Sequence, residues 1–449
     1  MKFRCCIELL QNNGQLKEVT VPVSAQLEMA AIVKRQLTKS SSSPALLFRS
    51  IEECSFSCVA NLFGTTDRIS MILSGNDGDS LDQRMAQLDD GLDSFSSFMS
   101  WLSAADECKP KRVCPPDMIQ LDDFSDLPAI KVWPEDAGHY LSLAVVICRT
   151  RQGQRVNCGI YRVQIHGPRQ ATIRFRPGSD GHRIFAEYQK HNEPMPIAIV
   201  LGCDPALMFA AVFPLSSHAS ELCFASYIQQ QPLSFYCSEL SSLPIPTPSE
   251  VVIQGSLDPA MTLPEGPFGN HEGYYSDIEQ CPVFNLEHIE SRRDAVIPTT
   301  MVGGPPTENM VLGSYVTQLI IPLVKRQIPQ VLHIFMPPET VFHGCAFIQL
   351  HVDDQLETVK QQIQNHQLFV HSKFLVFVDD EIDVNQPQQL FWRVINHYRH
   401  SAFNVNIAST EQIVIDTTGC CLMPHQRLHS NAEIEKKVSE RWHELGLDT

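Results

Sequence analysis

The chain has 449 residues, 43% of them hydrophobic and 19% charged, and its 51 acidic against 34 basic side chains give a formal net charge of −17. This length allows two or three domains, and the acidic balance argues against nucleic acid or an anionic lipid surface as partner, because proteins that bind these cluster positive charge. The 15 cysteines include no CxxC pair, which excludes a zinc ribbon and a thioredoxin-type motif, and the longest apolar runs are too short to span a membrane.

The first third of the chain predicts helices and a buried strand. The N-terminus MKFRCCIELLQNNG reaches Glu8 before a signal-like apolar core develops, so we expect a cytoplasmic protein. LEMAAIVKRQLTKS has helical spacing over 27–40, and PALLFRSI, which follows it, is typical of a buried strand. A second helical region is predicted over 82–105, and the proline-rich, acidic stretch 107–134 is predicted to be a linker.

The rest of the chain predicts a β-rich domain followed by an α/β layer. HYLSLAVVICRT, GIYRVQIHG, ATIRFRPG and MPIAIVLG follow one another with turn residues between them, which is typical of a barrel or a sandwich. KFLVFVDDEIDV then predicts a strand that ends in carboxylates, and QPQQLFWRVINHYR predicts a helix after it. We therefore expect a multi-domain α/β protein with domains over 1–106, 107–290 and 291–449.

The last residues predict a terminal helix. Asn431 is a suitable N-cap and Gly446 is suited to end the helix. One apolar stripe along it comprises Ile434, Val438, Trp442 and Leu445. This stripe packs either on its own domain or on a neighbouring subunit.

Residues 261–276, MTLPEGPFGNHEGYYS, concentrate conformationally special residues around charged ones, yet they match no common catalytic motif. NHEGYY has no second histidine four residues on, so it is not a zincin motif, and Gly266, Gly269 and Gly273 lack dinucleotide-binding spacing. There is no Walker A lysine and no nucleophile-elbow serine. Spacing alone therefore indicates only a multi-domain α/β protein with an unusual loop.

The segment PEGPFGNHEGYY resembles the signature of the UbiD family of reversible aromatic and α,β-unsaturated acid decarboxylases. NCGIYRVQ, SRRDAVIPTTMVGGPPTENMVLG, QIPQVLHIFMPPE and FLVFVDDEIDV are similar to further blocks of that family in the same order, and the likeness extends to the N-terminal stretch from ELLQNNGQLKEV to NLFGTTDR. The resemblance thus covers nearly the whole chain.

The resemblance implies a fold and a cofactor. The fold is an N-terminal α/β domain, a central split β-barrel of flavin-reductase type and a C-terminal α/β domain that mediates oligomerisation, giving a homo-oligomer, either dimer or hexamer. The cofactor is prenylated FMN, supplied by a partner flavin prenyltransferase and held with Mn²⁺ (or Mg²⁺) and K⁺. Such a cofactor is needed because no side chain is an adequate electron sink for decarboxylation at an sp² carbon.

By motif position, Arg162 and Glu265 are the central catalytic residues that the resemblance implies. Arg162 would hold the substrate carboxylate or organise the neighbouring glutamate, since a guanidinium offers two parallel donors and stays charged. Glu265, fixed between a proline and a Gly-Pro turn, would pair with Arg162 and take part in proton transfer. Without the resemblance, a solvent-facing strand arginine and a solvated turn glutamate would be the plainer interpretations.

The loop departs from the family pattern at Asn270, where the relatives carry a second acid. An amide cannot exchange a proton, so the usual general acid is missing there. Glu272 or His271 replaces it from a shifted position, or water protonates a phenolic substrate that needs less help, or activity is reduced. We include Glu272 among the predicted catalytic residues.

The resemblance also places a cofactor and metal site. The implied metal ligands are Asn157, His182 and Glu221, whose amide oxygen, imidazole and carboxylate suit an octahedral Mn²⁺ or Mg²⁺. The implied cofactor-binding residues comprise these three together with Gly159, Ile160, Tyr161 and Arg162. Taken singly, the three metal candidates are also compatible with a turn residue, a surface histidine and a helix start.

Two further acidic features have plain interpretations. Glu308 in GGPPTENM either lines the site or caps a helix, and the second is the simpler role. The four acids of DDEID at 379–383 are interpreted as a solvated strand-to-helix turn rather than as a metal site.

The resemblance therefore implies a non-oxidative, reversible decarboxylase of an aromatic, phenolic carboxylic acid, acting in ubiquinone or menaquinone biosynthesis. Two alternatives stay open. One is a decarboxylase of another unsaturated or heteroaromatic acid, and the other is a flavin-binding assembly protein of low activity, which Asn270 favours.

Overall fold

A computed structural model of the chain describes all residues except 40–42, 53, 75–79, 89–91, 93, 216–218, 341–343, 367, 370–371, 381, 385, 398–404, 408–409, 419–430 and 446–449. The chain divides into two compact units. Unit 1 comprises Met1–Pro329 with Met336–Gly344, and unit 2 comprises Gln330–Phe335 with Cys345–Thr449.

Unit 1 contains helices and strands in a mixed order. Its helices are α1 (Phe3–Asn12), α2 (Glu28–Lys39), α3 (Thr66–Leu73), α4 (Leu81–Ala86), α5 (Phe95–Ala104), α6 (Asp180–His191), α7 (Pro205–Ala210), α8 (Glu221–Gln229) and α9 (Glu308–Gln327). Its strands are β1 (Leu16–Val19), β2 (Ala45–Phe48), β3 (Ser57–Ala60), β4 (Lys111–Arg112), β5 (Ile119–Gln120), β6 (His139–Leu141), β7 (Val145–Arg149), β8 (Val156–Ile160), β9 (Val163–Gly167), β10 (Gln170–Ile173), β11 (Met195–Leu201), β12 (Ser234–Cys237), β13 (Pro244–Pro246), β14 (Val251–Glu265), β15 (Glu279–Ser291) and β16 (Val296–Thr299).

The N-terminal part of unit 1 is a four-stranded sheet with the order β1-β2-β3-β16. The predicted helix over 27–40 and the strand in PALLFRSI are confirmed as α2 and β2. The helical region predicted over 82–105 contains two separate helices, α4 and α5. Ser94 starts α5 by accepting a hydrogen bond from the Ser97 backbone N–H through its Oγ at 3.1 Å, which is the geometry of a new helix start.

The middle of unit 1 is a nine-stranded antiparallel sheet that curls into a half-barrel, with the order β6-β9-β10-β15-β14-β11-β7-β8 and β5 added beside β15. This confirms the expected β-rich centre. The predicted linker 107–134 is not wholly irregular, since it contributes β4 and β5 to two different sheets. Apolar side chains that alternate along the strands, such as Val146, Ile199, Ile253 and Phe284, are fully buried in the core.

The hairpin of β14 and β15 is the longest pairing in this sheet and ends at the unusual loop. Its register shifts at Gln254/Gly255 and again at Asp258/Thr262, and such bulges bend a strand. Gly255 is required at the first shift, because a Cβ there would lie 2.1 Å from the Asn285 carbonyl oxygen. Residues 261–265, first assigned to the loop, are the end of β14, so Glu265 is held in a strand opposite Glu279.

Unit 2 is an α/β layer. Its elements are β17 (Val331–Phe335), β18 (Cys345–Leu350), α10 (Leu356–Gln364), β19 (Phe374–Asp379), α11 (Pro387–His397), β20 (Val405–Ile407), β21 (Thr410–Asp416) and α12 (Ala432–Glu440), with the sheet order β17-β18-β19-β21-β20. The strand and helix predicted from KFLVFVDDEIDV and QPQQLFWRVINHYR are confirmed as β19 and α11.

One acid of the predicted solvated turn after β19 is not solvated. Asp379 is buried and forms an ion pair with the equally buried Arg393 of α11. Arg393 projects from an otherwise apolar run, and a buried guanidinium needs an anionic partner. Asp380 is exposed as expected, and Glu381 lies outside the described residues.

The terminal helix α12 begins as predicted, with the Asn431 Oδ1 accepting hydrogen bonds from the backbone N–H groups of Glu433 and Ile434. The helix ends at Glu440, a 3₁₀ turn follows over Trp442–Leu445, and the predicted C-cap Gly446 lies outside the described residues. The four apolar side chains of its stripe are all exposed. Among the helices that the structure describes, none combines the length and the apolar sequence that crossing a lipid bilayer would need.

Candidate active site

Arg162 and Glu265 form a bidentate ion pair in unit 1. The Arg162 Nε donates to Glu265 Oε1 at 2.7 Å and its Nη2 to Oε2 at 2.5 Å, while Glu265 is 0% exposed. Arg162 lies in the two-residue connection between β8 and β9, and its guanidinium also covers the Phe268 ring at 4.4 Å and donates to the Ser276 Oγ. The two arms of a guanidinium match the two oxygens of a carboxylate, so this geometry fixes the direction of both groups.

The backbone after Glu265 is fixed by two buried side chains. The Gln164 Oε1 accepts hydrogen bonds from the Gly266 N–H at 3.0 Å and from the Tyr140 hydroxyl at 2.9 Å. The Asp136 Oδ1 accepts one from the Gly269 N–H at 2.8 Å. Both acceptors are buried, so losing either one would strand an N–H group away from water.

Asp136 also organises its own segment, and Trp133 packs in that segment against the loop. The Asp136 Oδ2 accepts hydrogen bonds from the Val132 and Trp133 N–H groups, at 3.1 and 2.8 Å. The Trp133 indole fits between two glycines: a Cβ at Gly269 would lie 2.1 Å from it and one at Gly303 2.6 Å. These glycines are therefore needed for close approach, which explains part of the unusual loop composition.

Asn270, at the position where the family resemblance implies an acid, caps its own turn. Its Oδ1 accepts hydrogen bonds from the Glu272 N–H at 2.9 Å and from the Tyr274 N–H at 3.4 Å, as in an Asx turn. Gly273 in this turn has a φ of +84°, which favours glycine. Glu272 is exposed at the loop tip and His271 is half-buried, so neither is as deeply buried as Glu265. The role of Glu272 as a proton donor stays a prediction.

Arg174, which follows β10, is a site residue that sequence reasoning missed. Its backbone N–H donates to the Arg162 carbonyl oxygen at 3.3 Å, so the two arginines are cross-strand neighbours. The Arg174 Nε lies 3.7 Å from Glu265 Oε2, and its Nη2 forms an ion pair with Glu279. Only the antiparallel register of β9 and β10 brings it to the site, although an arginine in the strand pattern ATIRFRPG was a usable signal.

The environment of Glu265 perturbs neighbouring titratable groups. Burial, with Glu265 as the next cause, raises the pKa of the Tyr140 hydroxyl well above its ordinary value and that of the Cys281 thiol to about 11. Burial lowers the pKa of the half-buried His166, whose Nε2 shares a hydrogen bond with the Thr172 hydroxyl at 3.0 Å. Tyr140, Cys281 and His166 therefore add no charge at this position near pH 7.

Two of the three predicted metal ligands lie close together and deep in unit 1. Asn157 is a buried residue of β8, and Glu221 is the buried first residue of α8. The Glu221 Oε2 accepts a hydrogen bond from the Cys158 N–H at 3.2 Å, and burial raises the pKa of this carboxyl to about 7. His182 is exposed in the first turn of α6.

The surroundings of these residues fit an anion and a cation. Helices α6 and α8 both pack against β8, and both begin there, so their N-terminal partial positive charges face the same strand. An amide oxygen, an imidazole and a carboxylate are donors that Mn²⁺ and Mg²⁺ accept. Among the described residues, no group of three or more His, Cys, Asp and Glu side chains is arranged as a metal site by itself, so the amide of Asn157 would be an essential member.

The remaining predicted cofactor residues form a packed strand end. Tyr161 packs edge-to-face on Phe175 at 4.8 Å, and its hydroxyl accepts a hydrogen bond from the Gly181 N–H at 3.2 Å. A Cβ at Gly159 would lie 2.4 Å from the Tyr161 ring, so that glycine is needed for the ring to fit. Ile160, at the end of β8, is half-buried. These residues are contiguous with Arg162, and their contact with a cofactor stays a prediction.

Glu308 lies at the first turn of α9. It is buried, its Oε1 accepts a hydrogen bond from the Phe63 N–H at 2.6 Å, and burial raises the pKa of its carboxyl. It therefore joins the start of α9 to the segment after β3, consistent with the helix-start interpretation.

Three family models match successive parts of the chain. The 3-octaprenyl-4-hydroxybenzoate carboxy-lyase N-terminal domain matches residues 7–88, the Rift-related domain of the same family matches 107–305, and its C-terminal domain matches 310–419. Together they cover most of the 449 residues.

Solved structures of the same class share the fold along the whole chain. An evolved dimeric form of the UbiD-class enzyme HmfF from Pelotomaculum thermopropionicum, in complex with prFMN, is 23% identical with a TM-score of 0.78, covering 97% of this chain and 98% of that chain. Vanillic acid decarboxylase of Sedimentibacter hydroxybenzoicus in closed form is 22% identical with a TM-score of 0.83, covering 100% and 99%. Apo 3,4-dihydroxybenzoic acid decarboxylase of Klebsiella pneumoniae is 17% identical with a TM-score of 0.74, covering 98% and 99%.

Proposed function

The chain belongs to the UbiD family of carboxy-lyases, and from that premise we propose that it is a non-oxidative, reversible decarboxylase of an aromatic, phenolic carboxylic acid that uses prenylated FMN. The proposal includes a setting in ubiquinone or menaquinone biosynthesis. Two of the structural neighbours are by name decarboxylases of phenolic acids, which supports a phenolic substrate for this fold.

The observation that carries the proposal is the bidentate pair of Arg162 with the fully buried Glu265. A carboxylate with no exposed surface is paired here with an arginine, and the backbone that follows Glu265 is fixed by Gln164 and Asp136. Such preorganisation is what catalysis requires of groups that must act in one orientation.

The protein's own residues would bind the acid and move a proton. The bonds to Glu265 use Nε and Nη2 of Arg162, so the N–H groups of Nη1 are left for a substrate carboxylate. Glu265, after taking up a proton from water, would donate it to the substrate carbon that loses CO₂. The flavin, when bound, supplies the electron sink that no side chain provides.

We also propose that Asn157, His182 and Glu221 hold a Mn²⁺ or Mg²⁺ ion with the flavin phosphate, at the place where α6 and α8 begin. The raised pKa of the buried Glu221 supports this, because a divalent cation would compensate its charge. A K⁺ ion, a partner flavin prenyltransferase, a homo-oligomeric state and a cytoplasmic location stay predictions of the family resemblance.

A low-activity flavin-binding assembly protein is the second candidate. It is favoured by Asn270, whose side-chain oxygen serves the turn of its own loop and offers no acid. Decarboxylation would distinguish the two functions.

The test is CO₂ release from phenolic acids such as 4-hydroxybenzoate, using full-length protein co-expressed with a flavin prenyltransferase. Arg162→Lys keeps the positive charge but loses the bidentate hydrogen bonding of the guanidinium. Glu265→Gln keeps the shape of the side chain but loses the group that can exchange a proton. Each is expected to lower kcat/KM by about a hundredfold or more. Circular dichroism establishes that the variants fold.

The matched control is Arg151→Lys, which alters an exposed bidentate pair with Glu193 on the same unit and is expected to leave CO₂ release unchanged. Activity like that of the wild type in both site variants would contradict the mechanism. Absence of CO₂ release from the wild type with every phenolic acid, despite bound flavin, would favour the assembly role.

A further inference from the structure

The immediate surroundings of Glu265 hold two arginines, although one already satisfies both of its oxygens. Arg162 makes both hydrogen bonds, while the Arg174 Nε approaches Oε2 only to 3.7 Å. This Nε is buried and has no hydrogen-bond partner among the residues that the structure describes. A buried N–H without an acceptor is costly, so the second arginine needs a reason beyond neutralising Glu265.

The other arm of Arg174 is held by Glu279, and the two glutamates differ in burial. The Glu265 side chain is 0% exposed, whereas that of Glu279 is 46% exposed and that of Arg174 is 21% exposed. Releasing Glu265 from its arginine would leave a charge away from water, which is expensive. Releasing Glu279 costs little, because water can solvate its carboxylate and exposed ion pairs are weak.

The charge balance around the site also indicates that a bound carboxylate would replace one of the carboxylates already present. Two arginines face two carboxylates, so the cluster of Arg162, Arg174, Glu265 and Glu279 is neutral. A substrate carboxylate would add an uncompensated negative charge beside the fully buried Glu265. His166 does not supply a cation, because burial lowers its pKa and its Nε2 is engaged with Thr172.

Resting on the decarboxylase function proposed above, we propose that Glu279 occupies the place of the substrate carboxylate on Arg174. When an aromatic acid binds, Arg174 leaves Glu279 to water and donates to the acid beside Arg162. Neutrality is thereby preserved in the buried part of the site, and the only group that loses its partner is the one that solvent reaches. Arg174 is thus a specificity-determining residue for carboxylate ligands, and Glu279 competes with them.

The proposal makes a directional prediction that a merely structural ion pair does not make. Glu279→Gln removes the competing anion, so this variant is expected to bind 4-hydroxybenzoate about threefold to fivefold more tightly than the wild type. Arg174→Gln is expected to bind it about tenfold to a hundredfold more weakly, as for loss of a charge-assisted hydrogen bond. Isothermal titration calorimetry on full-length protein co-expressed with a flavin prenyltransferase measures both.

Two controls separate the exchange from general effects. Glu193→Gln removes the anion of the exposed Arg151 pair and is expected to leave the affinity unchanged. 4-Hydroxybenzamide, which has no carboxylate, is expected to bind wild type and Glu279→Gln equally. A gain for the amide as well would show that the variant only opens the site, and would overturn the exchange.

The remaining outcomes distinguish this proposal from the proposed function. If the wild type releases CO₂ but Glu279→Gln binds 4-hydroxybenzoate no more tightly, the exchange is overturned while the decarboxylase stands. If Glu279→Gln tightens binding but no phenolic acid loses CO₂, the exchange is supported and the decarboxylase is not. If the wild type binds no aromatic acid, both proposals fall.

Discussion

Two buried carboxylates of unit 1 are stabilised in opposite ways. Glu265 pairs with Arg162 through two short hydrogen bonds and has Arg174 behind it. Glu221 is also buried, but the hydrogen bonds to its carboxyl come from backbone N–H groups, and Arg155 acts on it only from a distance. Burial therefore raises the pKa of this carboxyl to about 7. Arginine side chains thus balance the charge of Glu265, whereas Glu221 has no cationic side chain bound directly to its carboxyl among the described residues.

The difference between these two carboxylates indicates which part of the site is preorganised before a ligand binds. The carboxylate of Glu265, which Arg162 holds through two hydrogen bonds, is oriented before any ligand arrives. A buried carboxyl with a raised pKa has to take up either a proton or a cation, and this couples its environment to ligand binding. The contrast yields predictions of decreasing size.

The largest expected effect concerns Glu221. Its folded pKa of about 7 exceeds the ordinary 4.5, so the native state binds the extra proton between these values and loses stability as pH rises through them. The loss amounts to about 3 kcal/mol of unfolding free energy, and it is complete above pH 7. Urea unfolding of chelator-treated protein at pH 5 and pH 8 should show this loss in the wild type and not in Glu221→Gln.

Addition of Mn²⁺ tests the role of Glu221 a second time. Adding Mn²⁺ at pH 8 is expected to raise the urea midpoint of the wild type but not of Glu221→Gln, because only a carboxylate attracts the ion. Glu187→Gln, an exposed position on α6, serves as the control and should behave like the wild type. An equal response of Glu221→Gln to Mn²⁺ would remove this residue from the metal site.

An intermediate effect is expected where the Glu265 loop is fixed. Asp136→Asn leaves one acceptor oxygen for three backbone N–H groups, so at least one buried donor loses its partner, at a cost of about 1–3 kcal/mol. We expect kcat to fall more than substrate affinity, because Arg162 is untouched while the loop after Glu265 loosens.

Asp123→Asn is the matched comparison for that variant. Asp123 accepts similar local hydrogen bonds from Ser125, but these hydrogen bonds are exposed to solvent, so its amide variant should change stability by less than about 0.5 kcal/mol. Equal losses in the two variants would mean that burial of the Asp136 contacts contributes nothing.

The smallest effect is expected at Asn270. Asp can accept the same bonds from the Glu272 and Tyr274 N–H groups, so Asn270→Asp should keep the turn and change CO₂ release by less than about threefold. A tenfold rise would show that the side chain at 270 serves as an acid in catalysis, and that one substitution restores the second acid that the family resemblance implies.

Local patterns predicted the elements well, while pairings distant in sequence escaped them. Hydrophobic periodicity predicted the strands of the half-barrel, and capping chemistry predicted the N-cap at Asn431. The ordered set of motifs predicted the family and the pair of Arg162 and Glu265. Arg174 was missed because its place depends on the register of β9 against β10. Asp136 was missed because an acid after Trp-Pro-Glu has no periodic signature, and the partner that links it to the site, the Gly269 N–H, is more than a hundred residues away.

At Asp379, unlike at Arg174 and Asp136, the local sequence pattern was noticed but predicted the wrong environment. Four acids after a strand have the composition of a solvated turn, and the turn does contain the exposed Asp380. Which of them turns inward is decided by Arg393, one helix later, whose charge needs a buried partner. Composition predicted the environment of Asp380 correctly and that of Asp379 wrongly.

The parallel pairing of β16 with β3 has a consequence for synthesis on the ribosome. Residues 57–60 emerge early, but the strand that covers their edge, 296–299, is translated only after the entire half-barrel. Until then β3 presents an unpaired edge, the kind of surface that recruits other chains. A gene fragment that stops before residue 296 encodes a sheet with this edge permanently open, so the family's N-terminal segment is a structural region and not an independent piece of the molecule.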